Sequence, residues 1–91
     1  MNHAEKLLER MRNTKAGWRP QDFEALYEGF GFEKKEKTNH TAYFFREYNL
    51  ITEVPRHQRL ANAYAATAVK LIDQLNELRA AQAAHTEEAN E

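Results

Sequence analysis

Apolar positions recur along this chain with two different periods. Ala4, Leu7, Leu8 and Met11 are spaced i, i+3, i+4, i+7, one face of a helix, and predict a first helix over residues 3 to 13. Asn13 to Gly17 reads as a loop. Pro20 suits a first helical position, where its missing N–H is not needed, and Asp22 adds a favourable negative charge to that turn. Phe23, Leu26, Tyr27 and Phe30 form a second stripe at the same spacing, and Gly31 is placed to end it as a left-handed cap.

After Gly31 the pattern changes. Phe32 to Lys37 has few apolar residues and reads as an edge strand, where lysines discourage wrong pairing. Thr41 to Arg46 is aromatic-rich and fits a central strand. Leu50 to Val54 predicts a third strand, stopped or held at an edge by Pro55. From Leu60 to Ala84 the helical period returns, through Tyr64, Ala68, Leu71, Leu75 and Leu78. The order helix, helix, three antiparallel strands, long helix predicts an α+β two-layer domain. One domain over residues 1–84 is expected, with residues 85–91 as a frayed polar tail.

Composition narrows the class only a little. The 91 residues include no cysteine, which removes disulfides and thiolate metal sites and fits a cytoplasmic location. The start of the chain leads into a polar helix rather than the apolar stretch of a signal peptide. No apolar run approaches the roughly 20 residues that span a bilayer, so no membrane association is expected. The formal net charge is −1. Residues 34 to 59 nevertheless carry Lys34, Lys35, Lys37, Arg46, Arg56 and Arg59 against Glu36, Glu47 and Glu53. That is a mild local basic excess.

Two histidines fall at the ends of the predicted strands. A two-residue turn at Tyr48-Asn49 pairs Glu47 with Leu50 and, counting outward, His40 with His57. Directly opposed residues share a sheet face, with Cβ atoms roughly 5 Å apart. One imidazole can then accept a proton while the other, protonated, donates one. RNA carries its own nucleophile in the 2′-hydroxyl, and Lys37, Arg46, Arg56 and Arg59 are the available cations. The bland alternative is a strand-end histidine that is simply solvated. Tyr43, Phe44 and Phe45 can stack bases, but one face of their strand must be core.

Four segments in order resemble the HicA family, the small RNA-cleaving toxins of HicA–HicB toxin–antitoxin pairs. They are Leu26 to Phe32, like the family's helix end; Lys37-Thr38-Asn39-His40, like its Lys-Gly-Ser-His strand entry; Val54-Pro55-Arg56-His57, like its strand exit; and Ala63 to Ile72, like its closing helix. The resemblance spans residues 7 to 78 and treats the first helix, with residues 1–19, as an N-terminal extension. It implies a fold similar to a double-stranded RNA-binding domain. It also implies an mRNA interferase that needs no metal or other cofactor, with His40 essential and His57 supporting. Lys37, Asn39, Arg46, Arg56 and Arg59 would contact RNA, and a HicB-like antitoxin would be the protein partner. Thr38 and Asn39 stand where the family has glycine and serine, and Thr38, being β-branched, resists positive φ. A catalytically inactive HicA-like domain that binds RNA or protein is the alternative.

Overall fold

The computed structural model describes residues 2–57 and 60–89. In chain order the elements are α1 (His3–Asn13), α2 (Pro20–Gly29), β1 (Glu33–Glu36), β2 (His40–Phe45), a 3-10 turn (Arg46–Tyr48), β3 (Leu50–Pro55) and α3 (Asn62–Ala89). The strands form one antiparallel sheet in the order β1-β2-β3. The α+β two-layer architecture is the one the periodicity predicts. The last helix runs past Ala84 to Ala89. Among the described residues no helix is long and apolar enough to cross a membrane.

Gly31 caps its helix as the sequence suggests, and two side-chain caps join it. Asn2 caps α1, its side-chain oxygen accepting from the Glu5 N–H at 2.9 Å. The Asp22 carboxylate accepts from the Arg19 N–H at 2.9 Å at the start of α2. Gly31 has φ +99° and closes α2 in a Schellman motif. There Phe32 N–H donates to the Tyr27 carbonyl at 2.9 Å, and Gly31 N–H to that of Glu28 at 3.0 Å. The hydrophobic contact that accompanies this motif is the edge-on meeting of the Tyr27 and Phe32 rings, 5.1 Å between centroids.

All three helices lie on one face of the sheet. Strand alternation sends Thr41, Tyr43, Leu50 and Val54 to that inner face. They meet Phe23, Leu26 and Tyr27 of α2 and Ala65, Ala68, Ile72 and Leu75 of α3. Tyr27 and Tyr43 stack at 4.8 Å. Burial pushes the Tyr43 hydroxyl up to about 12, and burial raises Tyr27 as well.

α1 is part of this core rather than an appendage. Ala4, Leu7, Leu8 and Met11 are all buried, and each large apolar side chain so buried stabilises by about 1.5–3 kcal/mol. α1 crosses α2 where Gly29 faces Ala4, and a Cβ at Gly29 would collide with the Ala4 methyl. A bidentate pair ties α1 to α3, with Arg12 Nη1 and Nη2 each donating to Asp73 at 2.9 Å.

The β2–β3 connection differs from the expected two-residue turn. Phe45 pairs with Leu50, and the intervening residues make the 3-10 turn followed by Asn49 in the left-handed region at φ 56°. Tyr-Asn lacks the two positive-φ residues that a tight type I′ turn needs. The wider loop uses Asn49 alone, a residue type that tolerates this conformation. The register therefore shifts by two, and His40 lies opposite Pro55 rather than His57.

Candidate active site

The end of the sheet that carries His40 is built from one chain reversal, the end of β3 and one arginine. At the β1–β2 reversal Lys37 N–H donates to the His40 carbonyl at 2.8 Å, enclosing the loop Thr38-Asn39. Among the described residues only Gly17, Gly31 and Asn49 have positive φ. Thr38 and Asn39 thus close this hairpin without the left-handed geometry that glycine would allow, and the β-branched Thr38 is not in conflict with its place.

Beyond the last β2–β3 pair the ladder continues by one step. Arg56 N–H donates to the Asn39 carbonyl at 3.0 Å. The Arg56 side chain then crosses the end of the sheet, and Nη1 donates to the Lys37 carbonyl at 2.9 Å. One residue therefore binds both sides of the Thr38-Asn39 loop. A guanidinium has five N–H donors in a rigid fork, so this bond orients Arg56 while leaving other donors for a ligand.

Thr38, Asn39, His40, Pro55, Arg56 and His57 line an open depression of about 390 Å³. Pro55 is its buried member, and both imidazoles are solvent-exposed. The register correction moves His57 two positions past His40's partner. A slip of two keeps a residue on the same side of the sheet, whereas a slip of one reverses it. His57 itself lies past the end of β3, and the two histidines line one depression at this end of the sheet.

The expected cations separate. Lys37 is close to the depression, but its Nζ contacts Glu53 Oε1 at 3.2 Å. Arg46 leaves the site: it begins the 3-10 turn at the opposite end of β2, roughly 20 Å along the strand from His40. There its Nε donates to Glu33 Oε2 at 2.9 Å, and its guanidinium lies over the Phe44 ring. Lys34 points to the inner face and binds Glu24 and Glu28 of α2 at 3.2 and 3.3 Å. Arg59 lies outside the described residues. Among the described residues no group of three or more His, Asp or Glu side chains gathers as metal ligands would.

Two features were not singled out from the sequence. Glu53, which neutralises Lys37, shares the outer sheet face with it once the register is known. Lys35 also lies on that face, opposite Ala42 and next in the alternation to Lys37. The alternation of β1 alone could have placed Lys35 there.

In comparison with known proteins, no family model, no curated protein and no solved structure matches this chain.

Proposed function

We propose that the depression between the β1–β2 loop and the end of β3 is a ribonuclease site, and that the chain is a HicA-like endoribonuclease of the cytoplasm. One observation carries the reading: His40 and His57 line the same depression together with Arg56 and Asn39. One imidazole removes the proton of an RNA 2′-hydroxyl. The 2′-oxygen attacks the adjacent phosphorus, the bond from phosphorus to the 5′-oxygen breaks, and the second imidazole protonates that oxygen. The products are a 2′,3′-cyclic phosphate and a free 5′-hydroxyl. The nucleophile belongs to the substrate, so the route needs no metal. Arg56, held by the Lys37 carbonyl, is positioned to meet the phosphate charge, and Asn39 offers an amide beside it.

The test is incubation of the purified protein with mixed-sequence RNA in EDTA. Cyclic-phosphate ends are expected from the wild type and from neither His40→Ala nor His57→Ala. RNA left intact by the wild type removes the proposal.

A second reading is favoured by the ion pairs. Lys37 with Glu53 and Arg46 with Glu33 make the sheet surface a mosaic of both signs rather than a basic field. Such a mosaic suits a protein partner, in the family a HicB-like antitoxin, better than a long stretch of phosphate. A non-catalytic interaction domain predicts tight partner binding that survives His40→Ala, with no RNA cleavage.

A further inference from the structure

The two edges of the sheet are not equivalent. β1, with sequence Glu-Lys-Lys-Glu, is charged and exposed throughout, which discourages pairing with another strand. β3, Leu-Ile-Thr-Glu-Val-Pro, carries a single charge, and among the described residues its Ile51 is the large apolar side chain left most open, at 68% exposure.

The ladder shows which groups face outward. Arg56 and Asn39 form a hydrogen-bonded pair, so by alternation Val54, Thr52 and Leu50 also bond inward to β2. The N–H and C=O groups of Ile51 and Glu53 therefore face away from the sheet, and no partner for them occurs among the described residues. We infer that this edge pairs with the same edge of a second copy, joining the two sheets across a two-fold axis at Thr52.

Of the symmetric registers centred on Ile51, Thr52 and Glu53, all of which keep the inner and outer faces aligned, the chemistry selects one. Centring on Glu53 sets two carboxylates directly opposite and matches Ile51 with Pro55, which has no N–H to give. Centring on Ile51 matches Glu53 with Asn49, whose N–H is already spent on the Arg46 carbonyl at 3.2 Å. Centring on Thr52 matches Ile51 with Glu53 of the other copy, and both residues can bond in both directions. Thr52 then faces Thr52, and Leu50 faces Val54 on the core side. Each Glu53 keeps its own Lys37 at 3.2 Å and lays its methylene stem beside the exposed Ile51. The arrangement is independent of the ribonuclease reading, because it uses none of the residues lining the depression except the backbone of Pro55.

A strand-to-strand contact of this length buries little surface, so the association is weak and is sought at roughly 0.01–1 mM. Sedimentation equilibrium of the full chain over that range is expected to show monomer passing to dimer, not to larger species. The register makes a sign prediction. Ile51→Glu opposes Glu53 of the other copy and is expected to weaken the dimer roughly 2- to 30-fold, from two such pairs. Ile51→Lys meets Glu53 and is expected to hold or tighten it. The amides of Ile51 and Glu53 are expected to exchange more slowly with deuterium as protein concentration rises. A wild type that stays monomeric to 1 mM, equal weakening by both substitutions, or exchange at those amides that ignores concentration would each overturn the proposal. Circular dichroism of both variants shows whether they fold, and position 51 is exposed enough that both should.

Discussion

Replacing Gly29 by alanine sets two effects against each other. Alanine is better than glycine in a helix by about 1 kcal/mol in the interior, and less at a final residue such as this one. Against that gain, the new Cβ would fall on the Ala4 methyl, far inside any real carbon contact, and 3.6 Å from the Ala4 Cα. Ala4 is 5% exposed and sits on the first turn of α1, so relief requires α1 to move away from α2. Overpacking of this kind costs about 1–3 kcal/mol. The net expectation is a loss of about 1–2 kcal/mol, or roughly 5–15 °C in Tm for a domain of this size.

The structure also predicts the rescue. Ala4→Gly alone loses a buried methyl and some helix preference, about 1 kcal/mol. If the two methyls compete for one space, the double substitution moves the methyl across the interface and should be no worse than Ala4→Gly alone. Independent sites would instead add, to about 2–3 kcal/mol. Urea unfolding of the four proteins followed by circular dichroism measures the coupling directly. A neutral or stabilised Gly29→Ala, or additive losses in the double variant, would refute the close approach and with it the docking of α1 as an integral layer.

Three further outcomes are expected. Under the proposed ribonuclease chemistry, His40→Ala and His57→Ala should each lower RNA cleavage by about 10²-fold or more, with unchanged unfolding curves because both rings are exposed; equal cleavage by either variant would clear that residue of a catalytic role. Asp73 is held below the usual carboxylate range by its hydrogen bonds from Arg12, so its stabilisation is present above about pH 4 and is lost as pH falls further; both side chains are 41% exposed, which limits it to about 0.5–1 kcal/mol, and Arg12→Met should remove that acid sensitivity and nothing at pH 7 beyond it. Asn49→Gly should leave stability unchanged or slightly raised, while Asn49→Val should cost about 1–2 kcal/mol in the same urea assay; a tolerated valine would argue against the left-handed loop.

The elements were legible because their periods are strong. Four apolar residues at helical spacing in α1 are all buried in the structure, and Gly31 takes the positive φ that its position after the Phe23–Phe30 stripe required. Phe44 and Phe45 divide between the two faces of β2 as alternation demands, with Tyr43 and Phe45 inward. The β2–β3 loop was less legible. Nothing local in Tyr48-Asn49 says whether the chain reverses in two residues or in a wider loop, and that choice moves the register by two. The role of α1 was also understated. Its stripe was plain, but its partner is a hole at Gly29 on another helix, and a missing side chain leaves no periodic mark.

Alternation explains why the strand faces survived the change of register, whereas the cation set did not hold together. Face is fixed by hydrophobic alternation: with Tyr43 inward, an odd slip of β3 would have turned Leu50 and Val54 to solvent, so only even shifts were open. His40 keeps its face under such a shift, while His57 lies past the end of β3 and joins the depression through the path of the chain leaving the strand. Charges obey no such rule, since a lysine or arginine is satisfied on either face by any carboxylate within reach. Lys34 found Glu24 and Glu28, Lys37 found Glu53, and Arg46 found Glu33 at the far end of the strand. Counting basic residues along residues 34 to 59 therefore overstated the positive field at the depression. Among the described cations of the set, Lys35 and Arg56 have no carboxylate partner, and of these two Arg56 lines the depression; its partner is a neutral carbonyl, which orients the guanidinium without cancelling its charge. An anion bound beside His40 and His57 would owe its electrostatic attraction chiefly to Arg56, so removing this one side chain should weaken it more than removing Lys37.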